Sequence, residues 1–225
     1  MLKSNLDKVF NQIKDGNNLG EPISLVGASK TMSVEVINQA ISLGLKIVAE
    51  NKVQEFRLKT EKIIGGTQHF IGHLQTNKAK YLVGRVDLIH SVDSIKLAEE
   101  IDRLAKNRNV IQDVLVEINC GGELSKSGFD LSTASPYIEE IINKFDNVKV
   151  KGLMTMLPNS DDKEHLTLLC QKMRALYDDL KKKHSNFCYL SMGMSNDYLI
   201  AIKNGSNMIR LGRTIFGERN YGDNV

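Results

Sequence analysis

Short apolar segments alternate with helix-like stretches eight times along the chain. Each apolar segment ends in polar or small residues, and apolar offsets of 3, 4 and 7 mark the helical stretches between them. Eight strand–helix units predict a closed parallel barrel, the (β/α)8 or TIM barrel, whose functional groups gather at the carboxyl ends of the strands. The predicted strands are 23–30, 46–51, 68–73, 87–92, 113–119, 148–156, 189–194 and 208–216.

Several of these strands are apolar on both faces, as in parallel strands covered by helices. An open doubly wound sheet stays an alternative, although neither GxGxxG after the first strand nor GxxxxGK[ST] is present. The first residues, MLKSNLDKVFNQIKDG, predict an extra N-terminal amphipathic helix. No linker rich in Pro, Gly or Ser separates the units, so we expect one domain over residues 1–225, with 120–133 as its longest irregular stretch.

Composition narrows the class of protein. Of 225 residues, 41% are hydrophobic and 25% charged, which is typical of a soluble globular protein. No apolar run approaches the roughly 18 residues of a membrane span, and the charged N-terminus does not resemble a signal peptide. A net charge of +3 does not indicate a nucleic-acid partner, and three cysteines without a CxxC pair indicate free thiols. We therefore expect a cytoplasmic protein with neither a membrane nor a nucleic-acid partner.

Lys30 ends the first predicted strand. Period-two alternation puts Ser24, Val26, Ala28 and Lys30 on one face, and these small side chains suit the barrel interior. Lys30 would then stand at the top of the barrel and point inward. A desolvated amine beside other cations loses its proton more easily and can form a Schiff base with an aldehyde. Spacing alone leaves open an ordinary exposed lysine at a strand end.

Arg210 lies on the last predicted strand and alternates with outward-facing apolar residues. Met208, Arg210 and Gly212 share a face, so Arg210 is expected to project inward as well. A buried arginine is rare without a partner. An inward lysine and an inward arginine at one mouth are suited to holding an aldehyde phosphate, and pyridoxal 5′-phosphate (PLP) is such a compound.

A phosphate cradle is predicted after the seventh and eighth strands, where barrels of this kind commonly hold phosphate. Met194 and Ser195 precede a helix expected from Asn196, and Gly212 to Thr214 follow Arg210. The hydroxyls of Ser195 and Thr214 can donate to phosphate oxygens. The alternative, that Gly193 and Gly212 serve turn geometry only, stays open.

Two histidines stand four residues apart in the third predicted strand. On a helix the spacing of His69 and His73 would suggest a metal site, but in a strand it only places both on one face. We expect structural histidines and no metal.

A series of motifs also resembles a known family. GASKT, AENKVQE, HFIGHLQTNKAK, IHSVDS, KSGF, KGLMTM, LSMGMSND and IRLGRTIFG occur in order. They resemble the pyridoxal phosphate homeostasis (YggS/PROSC) family, whose single barrel is similar to the N-terminal domain of alanine racemase. The resemblance covers about residues 23–217.

The resemblance implies roles for individual residues. Lys30 would be the Schiff-base lysine, Asn51 would contact the cofactor near its ring, and Arg210 would face the pyridine nitrogen. Ser195 and Gly212, with Thr214 and Met194 nearby, would hold the phosphate. The chain departs from the family at Lys52, where a tyrosine is common, and at Arg213, where a small residue is common.

Arg210 bears on the expected chemistry. A guanidinium only donates, so the pyridine nitrogen opposite it stays unprotonated and the ring is a weak electron sink. We therefore expect a carrier that binds and releases PLP with little or no turnover, as a monomer that transiently meets apo PLP-enzymes. A weak PLP-dependent amino-acid racemase is the alternative, and a phosphosugar-binding barrel with an aldolase-type lysine is a third hypothesis.

Overall fold

Eight parallel strands close into a barrel within residues 1–123 and 126–218, the part of the chain that the computed structural model describes. A ninth strand, two residues long, pairs on one side of it. The strands are β1 (Ser24–Ala28), β2 (Ile47–Glu50), β3 (Thr67–Phe70), β4 (Leu88–Val92), β5 (Gln112–Asn119), β6 (Phe129–Asp130), β7 (Val148–Thr155), β8 (Tyr189–Ser191) and β9 (Met208–Leu211).

Strand pairing runs around the barrel in the order β4, β3, β2, β1, β9, β8, β7, β5, and a β4–β5 pairing closes the ring. Every neighbouring pair is parallel, so all eight carboxyl ends meet at one face. The predicted (β/α)8 barrel is confirmed, and the open sheet is excluded by the closing pair.

Helices cover the outside of the ring. Ser33 caps the second helix by accepting the Val36 N–H, as its position before an amphipathic stretch predicts. The helices are α1 (Leu2–Ile13), α2 (Val34–Ser42), α3 (Val53–Lys59), α4 (Ile95–Arg108), α5 (Ala134–Lys144), α6 (Lys163–Lys183), α7 (Tyr198–Lys203) and α8 (Arg213–Phe216). Two 3₁₀ helices occupy Thr60–Lys62 and Thr76–Tyr81.

The predicted N-terminal helix is present as α1. Its buried face, Leu6, Val9 and Ile13, belongs to the same apolar cluster as Leu25 of β1 and Ile209 of β9. Burial of an apolar stripe against the barrel wall is what holds an amphipathic helix in place. α1 is therefore part of the barrel's packed outer layer.

The barrel interior is built in two layers. The lower layer is apolar and comprises Val26, Ala49, Leu88, Leu115, Met154 and Met208. Because side chains alternate across a strand, the residue two positions further on also points inward, nearer the carboxyl ends. That second layer is more polar and comprises Ala28, Asn51, His90, Glu117, Met156 and Arg210. Four members of this layer line the cavity at the open face: Ala28, Asn51, Met156 and Arg210.

Several strand ends differ from the prediction. The strand expected over 208–216 stops at Leu211, and residues Arg213–Phe216 form α8 because the Gly212 carbonyl accepts the N–H groups of Ile215 and Phe216. The third strand stops at Phe70. The stretch 120–133, expected to be irregular, contains β6, while its residues 124 and 125 lie outside the described part, as do 219–225.

No helix in the described part of the chain combines the length and the apolar character needed to cross a membrane.

Candidate functional site

A cavity of about 820 Å³ opens at the carboxyl ends of the strands. It brings together residues that are far apart in the sequence, from β1 through to the turn after β9. Six of the seven residues predicted to contact a cofactor line it: Lys30, Asn51, Met194, Ser195, Arg210 and Gly212. Thr214 is not among the lining residues and instead borders a small depression against α1.

Lys30 sits in a turn just beyond the end of β1. The strand ends at Ala28, Lys30 is half-buried, and both residues line the cavity. Thr31, the next residue, has a φ of 68°, a left-handed conformation that β-branched residues rarely adopt. The amine therefore lies on the cavity side of a tight and locally strained turn.

Arg210 lies deep in the polar layer and is 4% exposed. Its Nη1 donates to the carbonyl oxygen of Ser191 at 2.9 Å and to the Ser191 Oγ at 2.7 Å. Its Nη2 donates to the Thr155 carbonyl at 2.9 Å. A guanidinium carries five N–H bonds, and the two not used here have no acceptor among the described residues. Arg210 thus retains donor capacity at the cavity floor.

Carboxyl groups balance the charge of Arg210 without direct contact. Burial lowers the pKa of Arg210 to about 10, while Glu117 and Asp197 act in the opposite direction. Burial raises the pKa of Glu117 to about 7, with Asp93 adding to the effect and Arg210 opposing it. No ion pair of the described residues includes Arg210. The guanidinium nevertheless remains protonated at neutral pH.

A chain of neutral groups extends from Arg210 across the barrel. Ser191 Oγ lies 3.3 Å from His90 Nδ1, and His90 Nε2 lies 3.0 Å from His69 Nδ1. Burial lowers the pKa of His69 to about 4, and burial together with His69 and Arg210 holds the pKa of His90 well below its usual value. Both imidazoles are therefore neutral at pH 7 and act as hydrogen-bonding spacers.

The other predicted histidine lies apart from this chain. His73 lines the cavity beyond the end of β3, and its Nδ1 is 3.2 Å from Asp93 Oδ2. No group of three or more His, Cys, Asp or Glu side chains in the described residues is arranged to hold a metal ion. The two histidines thus occupy different depths of the barrel.

Asn51 brings an uncommitted polar atom to the cavity. Its Oδ1 is buried and has no hydrogen-bond partner among the described residues. The position is fixed by a close backbone approach, since a Cβ on Gly72 would lie 2.0 Å from the Asn51 carbonyl oxygen. A buried unpaired amide oxygen is costly, and this one lies on a residue of the cavity lining, where it can accept a hydrogen bond from a bound group.

The turns after β8 and β9 lie side by side. The Thr214 N–H donates to Ser195 Oγ at 3.4 Å, and the Met194 N–H donates to Asp197 Oδ1 at 2.6 Å. Gly212 has room for a Cβ, whose nearest neighbour would be Ala28 oxygen at 3.6 Å. These contacts leave the Ser195 hydroxyl and the Gly212 backbone at the cavity wall.

Gly193 is required by turn geometry. Its φ is +103°, and a Cβ there would lie 2.8 Å from the Ala201 Cβ. Gly193 therefore fits the turn interpretation. Gly212 has neither a positive φ nor a close contact that would exclude a Cβ. The two glycines of the predicted cradle have different physical roles.

Sequence reasoning missed three residues of the polar layer and its surroundings: Glu117, His90 and Ser191. Two of them carried a usable signal, because Glu117 follows inward Leu115 by two positions and His90 follows Leu88 in the same way. The contact of Ser191 with Arg210 joins separate strands and has no local signal.

Comparisons with known proteins identify the family. The sequence-family model of the alanine racemase N-terminal domain matches residues 6–220 of the chain. A pyridoxal phosphate homeostasis protein of Aquifex aeolicus is 45% identical over 200 residues, covering 88% of this chain and 87% of that protein. One from Vibrio alginolyticus is 32% identical over 231 residues, covering 98% of each. The chain belongs to the pyridoxal phosphate homeostasis protein family.

Solved structures agree with this family assignment. PipY of Synechococcus elongatus, solved with PLP bound, is 28% identical with a TM-score of 0.83, covering 96% of this chain and all of that one. An alanine racemase of Clostridium difficile has a TM-score of 0.80 at 18% identity and is matched over 60% of its length. The racemase likeness concerns the fold alone, which is the barrel common to both proteins.

Proposed function

We propose that this protein binds PLP as a Schiff base on Lys30 and serves in intracellular PLP homeostasis, with little or no catalytic turnover. Relatives named for pyridoxal phosphate homeostasis, and PipY with PLP bound, support the choice of ligand. The cavity supports it from this chain's own residues, since a lysine, an arginine and a hydroxyl-bearing turn all face one space.

The residues present fit the chemical groups of the cofactor. Bound PLP supplies an aldehyde that reacts with amines, and Lys30 is the amine positioned at the cavity rim. The Ser195 hydroxyl and the backbone around Gly212 would hold the phosphate, with Met194 against it and Thr214 contributing its backbone N–H beside Ser195. Asn51, with its buried amide group, would contact the ring side.

Arg210 is the observation that carries the proposed lack of turnover. It is buried, protonated and able to donate, so it would hold the pyridine nitrogen as an acceptor. Cofactor enzymes that need a strong electron sink place a carboxylate at that nitrogen. Glu117 acts on Arg210 only through its charge, without a hydrogen bond to it. These features favour storage of the cofactor over transamination or decarboxylation, both of which need a strong electron sink. Racemisation tolerates a weaker sink, so it remains the alternative.

Titration of the protein with PLP tests this function. Wild type is expected to develop the absorbance of a protonated imine, and Lys30→Ala is expected to show only free aldehyde. Lys52→Ala, which changes an exposed lysine outside the lining of the cavity, is the matched control and should behave as wild type. Wild type without the imine band would contradict the proposal, and so would a Lys30→Ala protein that keeps it.

Incubation of the loaded protein with D- or L-alanine separates the carrier from a racemase. The carrier is expected to leave the optical rotation unchanged. Turnover at about 1 per second, within the ordinary enzymatic range, would establish the racemase alternative. The aldolase-type hypothesis predicts no imine band with PLP, so the titration tests it as well.

The proposal extends to the organisation of the chain. We propose a single PLP-binding barrel domain over residues 1–225, a cytoplasmic location and a monomeric state, with transient contact to apo PLP-enzymes that receive the cofactor. Light scattering of the loaded protein tests the monomer, and a mass of about twice 25.2 kDa would overturn it.

A further inference from the structure

A buried ionic network lies behind the turn that carries Lys30. Lys59, at the end of α3, places its Nζ 2.9 Å from Glu50 Oε1 and 2.8 Å from Glu55 Oε2. The Lys59 side chain is 14% exposed and that of Glu50 is 3% exposed. None of these three residues lines the cavity. The network therefore stands on the helix side of the barrel wall, away from any direct contact with a ligand in the cavity.

The network holds the residues on both sides of Lys30. Ser29 Oγ donates to Glu50 Oε1 at 3.0 Å, and the Ser29 carbonyl lies 3.5 Å from Lys59 Nζ. The Thr31 N–H donates to Glu55 Oε2 at 2.9 Å. Lys59 Nζ thus contacts one oxygen of the turn itself, the Ser29 carbonyl, and two carboxylates that accept hydrogen bonds from the turn. The network thus holds the backbone on both sides of Lys30.

The backbone of Thr31 has an unfavourable conformation that the surrounding contacts must stabilise. Its left-handed φ of 68° costs about 1–3 kcal/mol for a residue that is not glycine. Such a conformation persists only where surrounding contacts hold it, and a hydrogen bond to a carboxylate is among the strong ones. Two contacts therefore hold the turn in this shape: the Thr31 N–H bond to Glu55, and the bond from the Met32 N–H to the Ser29 carbonyl at 3.0 Å.

Lys59 also keeps the two carboxylates together. Burial raises the pKa of Glu50, Lys59 opposes that rise, and Glu55 adds to it. The Glu50 Oε2 is buried without a hydrogen-bond partner among the described residues. Without the ammonium group, two like charges would share this buried place, and the turn would lose the anions that bind it.

We infer that Lys59, acting through Glu50 and Glu55, is a positioning residue that sets the reach of the Lys30 amine toward the PLP aldehyde. The inference rests on the proposed function. It assigns to this network the placement of the amine that forms the covalent bond, and leaves ring and phosphate binding to residues that line the cavity, such as Arg210, Ser195 and Gly212. The two contributions can be separated because pyridoxine 5′-phosphate has the same ring and phosphate but no aldehyde.

The test compares both ligands on the Lys59→Met variant, which keeps the length of the side chain and removes its charge. PLP affinity, read from the imine band, is expected to fall about tenfold, as for loss of one strong charged hydrogen bond. Affinity for pyridoxine 5′-phosphate is expected to stay within about twofold. Lys62→Met, an exposed lysine three residues further on, is the matched control and should change neither.

Failure of the positioning role and failure of the proposed function give different results in this test. Equal losses for both ligands, or no loss for PLP, would overturn the positioning role while wild type still forms the imine. Wild type that forms no imine would instead overturn the proposed function.

Two further variants keep the test decisive if Lys59→Met does not fold. Glu55→Gln retains an oxygen for the Thr31 N–H but loses the charge that holds Lys59, so about a threefold selective loss for PLP is expected. Lys59→Arg keeps the charge and should retain most of the wild-type preference for PLP. A Glu55→Gln protein with the wild-type ratio of the two affinities would contradict the inference.

Discussion

The two basic residues of the cavity, Lys30 and Arg210, lie in different surroundings. Lys30 is half-buried at the rim, in a turn whose neighbours contact an ionic network. Arg210 is almost fully buried and donates to neutral oxygens of Ser191 and Thr155. The first arrangement holds the backbone around Lys30 at the rim of the cavity, and the second holds the Arg210 guanidinium at its floor. The difference fits the proposed roles, in which the Lys30 amine reacts with the PLP aldehyde and the Arg210 guanidinium holds the ring nitrogen.

The largest expected difference between the two residues is in stability. Arg210→Gln removes a buried cation and leaves backbone acceptors and Glu117 unbalanced, so the free energy of unfolding should fall by about 3 kcal/mol. Lys30→Gln, at the half-buried rim, should change it by less than about 1 kcal/mol. Urea unfolding of both variants measures this. Equal losses would show that the two residues are held alike.

The pH dependence of stability tests the environment of Glu117, a buried carboxyl group that acts on Arg210 through its charge. Its pKa of about 7 lies above the 4.5 of the unfolded chain, so the folded protein binds the extra proton between these values and wild-type stability falls as pH rises through that window. Glu117→Gln removes this loss. Relative to wild type, the free energy of unfolding of the variant should rise by about 2 kcal/mol between pH 5 and pH 8.

Urea unfolding of Glu117→Gln at the two pH values provides the measurement. The exposed Glu61→Gln serves as the control and should show no comparable gain. A Glu117→Gln gain that is larger at pH 5 than at pH 8 would mean that Glu117 is ionised without cost in the folded protein.

The smallest expected effect separates the two glycines of the phosphate wall. Gly193→Ala should cost about 1–2 kcal/mol of stability, because its φ is +103° and the added Cβ would lie 2.8 Å from Ala201. Gly212→Ala should cost less than about 0.5 kcal/mol yet weaken PLP binding about tenfold, because its Cβ would stand at the cavity wall. Thermal unfolding and PLP titration measure the two effects. Unchanged PLP affinity in Gly212→Ala would remove Gly212 from the proposed phosphate site.

Period-two alternation predicted much of the site before the fold was known. It placed Lys30 and Arg210 on the inward face, and both line the cavity. Strand ends were less predictable, since a strand stops where its ladder of hydrogen bonds stops, which depends on neighbouring strands. Thr214 shows the consequence. Because β9 ends at Leu211 and α8 follows, Thr214 borders α1 and only its N–H approaches Ser195.

Contacts between distant segments were beyond the reach of local patterns. Ser191 meets Arg210 and His90 through strands far apart in the sequence. Lys59 stands on a helix face where a charged residue usually indicates solvent, yet it is half-buried and pairs with the buried Glu50. The i,i+4 spacing of Glu55 and Lys59 is a local signal for that one pair. The contacts of Lys59 with Glu50 and of Ser191 with Arg210 and His90 have no such signal, so only the assembled barrel reveals them.

Borohydride reduction of the PLP-loaded protein, followed by peptide mass spectrometry, tests the central proposal most directly. Reduction makes the bond between cofactor and lysine permanent, so the modified residue can be located. We predict the reduced pyridoxyl phosphate group on Lys30 as the main product. Modification spread over exposed lysines, or a main product on another residue, would contradict the proposed site.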